Sequence, residues 1–357
     1  MKGCVMGEVR IWINGQEVVT SEGTTVLDAA EVAGIYIPHL CYYYSSKPSG
    51  NCRLCAVEIE GQRGLPAACS TLVEEGMQVM TETEKVKEFR REMLRLVLQN
   101  YPIDAIDDIR EQGYELAQVI DHIGLETPYL PSREEPFMIK DDGPFFNRDY
   151  NLCVRCGRCV RVCHEVRGIG AIVFRERAGL MEVGTAFDRS LEEVGCQFCG
   201  ACVDACPTGA LVDRFPEIPI KAAEIEKIRT TCPYCGVGCQ MWLHIKDGKI
   251  VRVTGVEDGA PNRGRLCVKG RFGCNFIYSE DRLTVPLIKE NDVFREASWD
   301  EALDLVADKF KEIIAEHGPD AIAGVSCARS INEDSYQMQK LFRAVIGTNN
   351  IDHCART

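Results

Sequence analysis

The chain has 357 residues, 45% hydrophobic and 27% charged, enough for several domains with buried cores. A formal net charge of −13 and a pI near 5.1 exclude a broad phosphate-binding surface, and with it nucleic acid as the expected partner. Twenty cysteines in short-spaced runs point to metal rather than to a disulfide framework. No run of about 18 apolar residues suggests a membrane span. Residues 1–10 lack an apolar signal core and a twin-arginine pair, so a cytoplasmic, reducing location is expected.

Residues 8–80 open the chain. Val9 to Ile13 and Glu17 to Thr20 predict two strands around an Asn14-Gly15 turn. Thr25 to Ala33 predicts a short helix stopped by Gly34. Cys41, Cys52, Cys55 and Cys69 follow, spaced C-x10-C-x2-C-x13-C. Four thiolates with a C-x2-C at the centre suit a 2Fe–2S cluster, with zinc as the plainer alternative. Hairpin, helix and a long cysteine loop together predict a β-grasp ferredoxin.

Residues 84–122 are predicted helical, with Val86, Phe89, Met93, Leu96 and Val97 as the apolar stripe. The segment 124–147, with Pro128, Pro131 and Pro136, predicts an irregular connector.

Next come two copies of C-x2-C-x2-C-x3-C: Cys153, Cys156, Cys159 and Cys163, then Cys196, Cys199, Cys202 and Cys206, the last followed by Pro207. In such paired runs the fourth cysteine of each serves the other cluster. One 4Fe–4S cluster is therefore expected on Cys153, Cys156, Cys159 and Cys206, and a second on Cys163, Cys196, Cys199 and Cys202. His164 stands where a second proline would be, and its expected place is the surface or the surroundings of the cluster. Between the runs, Ile172 to Phe174 and Met181 to Val183 predict a small hairpin.

A β-grasp 2Fe–2S module, a helical stretch and a double 4Fe–4S ferredoxin, in that order, resemble the N-terminus of the large iron–sulfur subunit of complex I. The same layout occurs in cytoplasmic NAD-linked formate dehydrogenases and iron-only hydrogenases. In that family the helical stretch carries H-x3-C-x2-C-x5-C, which binds a further cluster. By the resemblance of the flanks Leu98-Gln99-Asn100, Gly113 and Glu115-Leu116, those four positions fall on Tyr101, Ala105, Asp108 and Tyr114. None is a cysteine or histidine, so a retained helical module without its cluster is expected.

Near residues 216–230, Pro216 and Pro219 lead into a charged linker predicted helical, and then to Cys232, Cys235, Cys239 and Cys267, spaced C-x2-C-x3-C-x27-C. This pattern predicts a third 4Fe–4S cluster, again with zinc as the alternative. Gln240 to Ile245 and Lys249 to Thr254 predict strands around an Asp247-Gly248 turn. The segment resembles the N-terminal domain of molybdopterin-guanine-dinucleotide oxidoreductases, and among them the formate dehydrogenases. The resemblance implies that Lys269 stands between this cluster and a pterin, as an electron relay.

From Val285 the style changes. Ser298-Trp-Asp-Glu301 is a capping box opening a helix that ends at Gly318. Ala321 to Cys327 predicts a buried strand, Asn332 caps a helix running through Ile346 to Gly347, and Asn350 to Cys354 starts another strand. A parallel α/β unit follows, which the resemblance makes the opening of a pterin-binding domain. In formate dehydrogenases a stretch like Ile351 to Thr357 leads into the selenocysteine or cysteine that binds the metal, which here would be position 358. Termination at an in-frame selenocysteine codon is the expectation; a naturally short electron-transfer protein is the alternative. Cys354 is expected to be structural, and Cys4, Cys274 and Cys327 to be packing or terminal residues.

The expected architecture is multidomain α+β. It divides into a β-grasp 2Fe–2S domain (1–82), a helical module (83–146), a double 4Fe–4S ferredoxin (147–218), a molybdopterin oxidoreductase 4Fe–4S domain (228–286) and the start of a pterin-binding α/β domain (287–357). The resemblance implies formate oxidation to carbon dioxide at a molybdenum or tungsten bis-molybdopterin guanine dinucleotide centre in a longer protein. Electrons would pass through one 2Fe–2S and three 4Fe–4S clusters to a diaphorase (NAD(P)-linked), hydrogenase or ferredoxin-type partner. A polyferredoxin-like relay, or a complex I- or hydrogenase-type subunit without its own catalysis, is the alternative.

Overall fold

A computed structural model describes residues 7–125, 139–140, 143–177, 180–214 and 221–354. Cys4, and Pro128, Pro131 and Pro136 of the connector, lie outside these residues. The chain divides into two compact units, Met1–Glu226 and Lys227–Thr357.

The first unit starts with a four-stranded sheet. Strands β1 (Glu8–Ile13) and β2 (Gln16–Ser21) form the expected hairpin. Asn14 and Gly15 both have positive φ, 52° and 81°, which matches the right-handed twist of the strands. The Asn14 amide also exchanges two hydrogen bonds with Thr81, at 2.8 and 2.9 Å. After helix α1 (Val26–Val32), capped by the Thr25 hydroxyl on Asp28 N–H at 3.1 Å, come β3 (Glu58–Ile59) and β4 (Gln78–Met80). The sheet order is β2-β1-β4-β3, with β4 parallel to β1. Ile11, Ile13, Val26, Leu27, Val57 and Val79 close the core between sheet and helix.

The helical stretch is three helices, not one: α2 (Glu84–Val97), α3 (Ala105–Glu111) and α4 (Glu115–Ile123). Pro102 lies in the first break, and Gly113, at φ 74°, in the second. The predicted stripe on α2 is displaced. Its buried residues are Val86, Arg90 and Leu94, whereas Leu96 is 62% exposed. Arg90 takes a core position because its guanidinium donates to the Ala56 carbonyl at 2.9 Å and to Glu82 at 3.0 Å. Leu94, Leu98, Leu116, Val119 and Ile120 form a second core together with Leu40, Cys41, Cys52 and Leu54. The helical module thus buries one end of the first cysteine loop.

The double cysteine run is framed by a two-stranded sheet, β5 (Phe146–Arg148) on β8 (Leu211–Asp213). Between them lie α5 (Arg158–Arg161), the hairpin β6 (Val173–Arg177) and β7 (Leu180–Gly184), and α6 (Ala201–Asp204). That hairpin was expected from the sequence, a little shorter than found.

In the second unit β9 (Glu226–Thr231), β10 (Gln240–Lys246) and β11 (Lys249–Gly255) make one sheet, ordered β11-β10-β9, so the end of the linker expected to be helical is a strand, held by pairing with β10. The predicted turn is present, with φ of 51° at Asp247 and 73° at Gly248. Helix α7 (Val268–Phe272) follows. A hairpin of β12 (Leu287–Glu290) and β13 (Val293–Glu296) comes next. It is absent from the sequence reading. Its turn, Asn291-Asp292, lacks glycine yet takes positive φ at both residues, 49° and 66°.

Helix α8 (Trp299–His317) starts at Ser298, whose hydroxyl accepts from Glu301 N–H at 3.1 Å. The other half of the predicted capping box does not form as such: the Glu301 carboxylate pairs with Arg295 at 2.6 Å. Strand β14 (Gly324–Ser326) is shorter than predicted and not buried throughout, with Val325 73% exposed. Among the described residues β14 has one neighbour, the parallel β15 (Ile351–His353). The helix between them is α9 (Asn332–Lys340), finished by a π-helical turn over Leu341–Ile346. Its N-cap is Ile331 rather than Asn332, and no side chain caps it. Gly347 ends it at φ 89°, as expected. Phe342 lies so close to β14 that a Cβ on Gly324 would stand 2.6 Å from its ring.

Two stability changes follow. Replacing Arg90 by leucine leaves the Ala56 carbonyl without its buried donor and should lower stability by about 1–3 kcal/mol, read as a lower denaturant midpoint. Ser298→Ala should cost α8 about 1 kcal/mol, read as faster amide exchange over its first turn.

Candidate iron–sulfur centres

In the first loop all four cysteines are buried. Their sulfurs form two close pairs joined through a third contact: Cys41 with Cys52, Cys55 with Cys69, and Cys41 with Cys69. The Cys52 N–H points at the Cys41 sulfur at 3.5 Å. Shared hydrogen bonds from Cys52 and Cys69 push the Cys41 thiol far down, while those same bonds and burial push Cys52 and Cys69 up. Four sulfurs held this close in a buried loop are placed to surround a small metal cluster once they are thiolates, the form that binds metal.

The two ferredoxin runs have one backbone used twice. Arg155 and Phe198, each two residues after the first cysteine, have φ of 55° and 50°. Their N–H groups donate to the Cys153 and Cys196 sulfurs at 3.4 and 3.3 Å. Gly157 and Gly200 then take φ of 76° and 69° and start α5 and α6. Positive φ in these places lets each loop curl its amides inward around a common point.

The sulfurs sort across the runs. Cys153 feels Cys156 and Cys206, and Cys159 feels Cys153, Cys156 and Cys206 before it feels Cys202. Cys202 feels Cys199, Cys196 and Cys163 before Cys206. Cys153 and Cys156 are half-buried as residues, but their sulfurs face inward. Burial pushes their thiols up to about 12 and about 11. Crowded thiolates are unfavourable there unless positive charge is placed among them.

In the second unit Cys232, Cys235, Cys239 and Cys267 are mutually within electrostatic reach. Burial raises the Cys232 and Cys239 thiols, and the neighbouring sulfurs add to it. The Cys232 N–H donates to the Cys239 carbonyl at 2.8 Å, which closes the loop. Cys267 is the N-cap of α7, and Lys269 is exposed on that helix. Tyr234, inside the C-x2-C, donates its hydroxyl to the Gly273 carbonyl and so ties the loop to the end of α7.

Among the described residues no three or more histidine, cysteine, aspartate or glutamate side chains are set to hold a single metal ion. A cluster asks for something different, since its thiolates surround a small volume instead of converging on one atom. Buried donors offer a second test of fit. The Nε atoms of Arg90, Arg158 and Arg161 have no hydrogen-bond partner among the described residues. Arg158 and Arg161 belong to the helix that carries Cys159, and sulfide or thiolate sulfur is the acceptor such donors would suit.

Several features were not readable from motifs. A cavity of about 270 Å³ lies beside both cysteine loops, lined in part by Asn51, Cys52, Leu96, Tyr101, Cys153 and Cys156. Leu96 faces it. Cys327 and Cys354 bring their sulfurs within 3.5 Å at the ends of β14 and β15. Only the parallel register Ser326 to His353 could have signalled that pairing. His164 is exposed, and Cys274 is buried in the packing.

Four family models match in order. They are the 2Fe-2S iron-sulfur cluster binding domain over residues 7–84 and the ferredoxin-like domain of NADH-quinone oxidoreductase subunit 3 over 143–212. The molybdopterin oxidoreductase Fe4S4 domain follows over 225–279, and the molybdopterin oxidoreductase model over 282–357. The chain is 38% identical over 350 residues to the NADPH-Fe(3+) oxidoreductase subunit alpha of Geobacter sulfurreducens, which covers 98% of this chain and 40% of that protein. A Staphylococcus aureus protein named "Putative formate dehydrogenase" is 32% identical over 385 residues, covering 97% and 39%. This chain therefore spans about 40% of the length of these curated relatives. Among solved structures it is similar to a chain of an NAD+-reducing [NiFe]-hydrogenase in the H2-reduced state. The TM-score is 0.50 and the identity 27%, over 58% of this chain and 87% of that one. With 2Fe–2S, ferredoxin-like, Fe4S4 and molybdopterin models matched in succession, the chain belongs to the molybdopterin oxidoreductases and carries an N-terminus of the NADH-quinone oxidoreductase kind.

Proposed function

We propose that this chain is the iron–sulfur electron-transfer portion of a formate dehydrogenase alpha subunit. Cys41, Cys52, Cys55 and Cys69 hold a 2Fe–2S cluster. Cys153, Cys156, Cys159 and Cys206 hold one 4Fe–4S cluster, Cys163, Cys196, Cys199 and Cys202 a second, and Cys232, Cys235, Cys239 and Cys267 a third. The observation that carries the reading is the sorting of the ferredoxin sulfurs across the two runs, with Cys206 beside the first and Cys163 beside the second.

When bound, such clusters supply one-electron carriers whose potentials follow net charge, hydrogen bonding and exposure. The protein's part is to exclude water, to direct amide and guanidinium donors at sulfur and to fix the spacing of the sites. Lys269, directly after the Cys267 loop, is the residue assigned to stand between the third cluster and a pterin. Formate as substrate, a molybdenum or tungsten bis-pterin centre, and a NAD(P)-linked diaphorase or ferredoxin-type partner in the cytoplasm belong to a protein of the relatives' length. The name of the Staphylococcus aureus relative supports formate; that of the Geobacter relative supports a pyridine-nucleotide-linked partner.

A second reading is a relay subunit without its own catalysis, favoured by the likeness to the hydrogenase chain. Purification of a protein of the relatives' length separates the two: retained pterin with molybdenum or tungsten supports the enzyme, and clusters alone support the relay. The 357 residues by themselves should not reduce a dye with formate.

Anaerobic reconstitution should give about 14 iron atoms per chain, from one two-iron and three four-iron clusters. A reproducible value near ~18 would put a fifth cluster in the helical module and refute its absence. Cys153→Ser and Cys206→Ser should abolish the same electron paramagnetic resonance signal, and Cys163→Ser a different one. Loss of one common signal in all three would overturn the crossed assignment.

A further inference from the structure

The start of α4 and Tyr101, which precedes α3, grip the first ferredoxin site from two sides. On one side Glu115, the first residue of α4, takes the Arg158 guanidinium in a two-pronged pair, both bonds 2.7 Å. Arg158 is 1% exposed and lies between Cys156 and Cys159 in the chain. Its guanidinium also stands over the Tyr43 ring, 5.8 Å from the centroid. On the other side the Leu116 N–H donates to the Pro207 carbonyl at 3.0 Å, and the Tyr101 hydroxyl to the Thr208 carbonyl at 3.2 Å. Tyr114 packs on Gly209, where a Cβ would lie 3.3 Å from its ring. The Thr208 hydroxyl is itself 3.6 Å from the Cys206 sulfur.

Two of these residues, Tyr101 and Tyr114, occupy positions that the resemblance assigns to ligands of an extra cluster. Tyr101 makes its hydrogen bond there and Tyr114 fills space against Gly209, so both hold the Cys206–Gly209 turn.

Arg158 is unusual because burying a guanidinium is costly unless it is paired. Here the Glu115 carboxylate supplies the pairing, and the Tyr43 ring, two residues after Cys41, lies against the guanidinium. Arg161 of the same helix donates to the Cys41 carbonyl, so the Arg158 charge lies beside two ligand loops, that of Cys41 and that of Cys156.

We propose that the helical module acts as an electrostatic brace: Glu115 and Arg158 together set the reduction potentials of the 2Fe–2S cluster and of the adjacent 4Fe–4S cluster on Cys153, Cys156, Cys159 and Cys206. The proposal rests on the cluster assignment above. Reduction adds negative charge to a cluster, so a nearby buried cation stabilises the reduced state and a nearby carboxylate opposes it. Arg158 and Glu115 are positioning residues that act through this field and ligate nothing.

The test is a potentiometric titration of the reconstituted full chain, followed by electron paramagnetic resonance. Arg158→Gln should lower the potentials of these two clusters, by tenfold or more in the reduction equilibrium of the nearer, about 59 mV for a one-electron couple. Glu115→Gln should raise them, Arg158→Lys should stay near the parent, and the double neutral variant should fall between the singles. The cluster lost in Cys163→Ser should not move in any of these. Arg110→Gln, on the exposed Arg110–Asp121 pair of the same module, should leave all potentials unchanged. If Arg158→Gln cannot hold its clusters, Glu115→Gln alone decides by the sign of its shift. Shifts of the same sign for the two neutral variants, or none with clusters present, overturn the proposal. A parent chain that takes up no iron overturns the cluster assignment instead.

Discussion

Thiolates packed into a protein interior are a concentration of negative charge in a poor dielectric, and the described residues around the first three cysteine sets are arranged to offset it. Burial alone drives the thiols of Cys153, Cys156, Cys159 and Cys202 toward the protonated form. Three devices oppose this. Backbone amides of residues at positive φ point at sulfur in both ferredoxin loops. Guanidinium groups are buried beside the loops, Arg158 by Cys156 and Arg90 by Cys55. Iron, when bound, supplies the remaining positive charge. Each arginine then needs its own partner, and so Glu82 and Glu115 enter the arrangement from α2's leading edge and from α4.

Much of this was legible because it is local. Asn14-Gly15 and Asp247-Gly248 dictate hairpins within two residues, and the cysteine spacings dictate loops within about a dozen. The crossing of Cys163 and Cys206 is an expectation from the paired ferredoxin runs, and the sulfurs that Cys159 and Cys202 feel most strongly are ordered in the same sense. Reading failed where the deciding partner is distant in sequence. Arg90 looks like a surface residue of α2 until the Ala56 carbonyl is seen beneath it. Arg158 looks like a spacer between cysteines until Glu115 is brought to it. Asn291-Asp292 escaped for another reason: without glycine its positive φ values are not advertised.

In the second unit the same division holds. The Ser298 cap was legible, but Arg295 diverts Glu301 from the reciprocal bond of a capping box. Gly324 is not a turn residue. It is small because Phe342 of the following helix lies on it, and that close approach seats α9 and its π-helical turn against β14. The Asp320 side chain then receives the Thr348 hydroxyl at 2.6 Å and fixes the entry to β15. A strand–helix–strand unit is thereby aligned, and its strand ends carry Cys327 and Cys354 side by side.

The helical module makes the strongest case for reading structure before motif. By the resemblance its four ligand positions fall on Tyr101, Ala105, Asp108 and Tyr114, and none of these is a cysteine or histidine. Judged by packing it is indispensable. Cys41 and Cys52 lie in one core with Leu94, Leu98 and Leu116, so deleting the module would open the first cysteine loop to water. Water there would screen the field between that loop and Cys156 and weaken whatever control Arg158 exerts. The module is therefore held in place by packing as well as by any motif, because its neighbours depend on the apolar face and on the Glu115 carboxylate it presents to them.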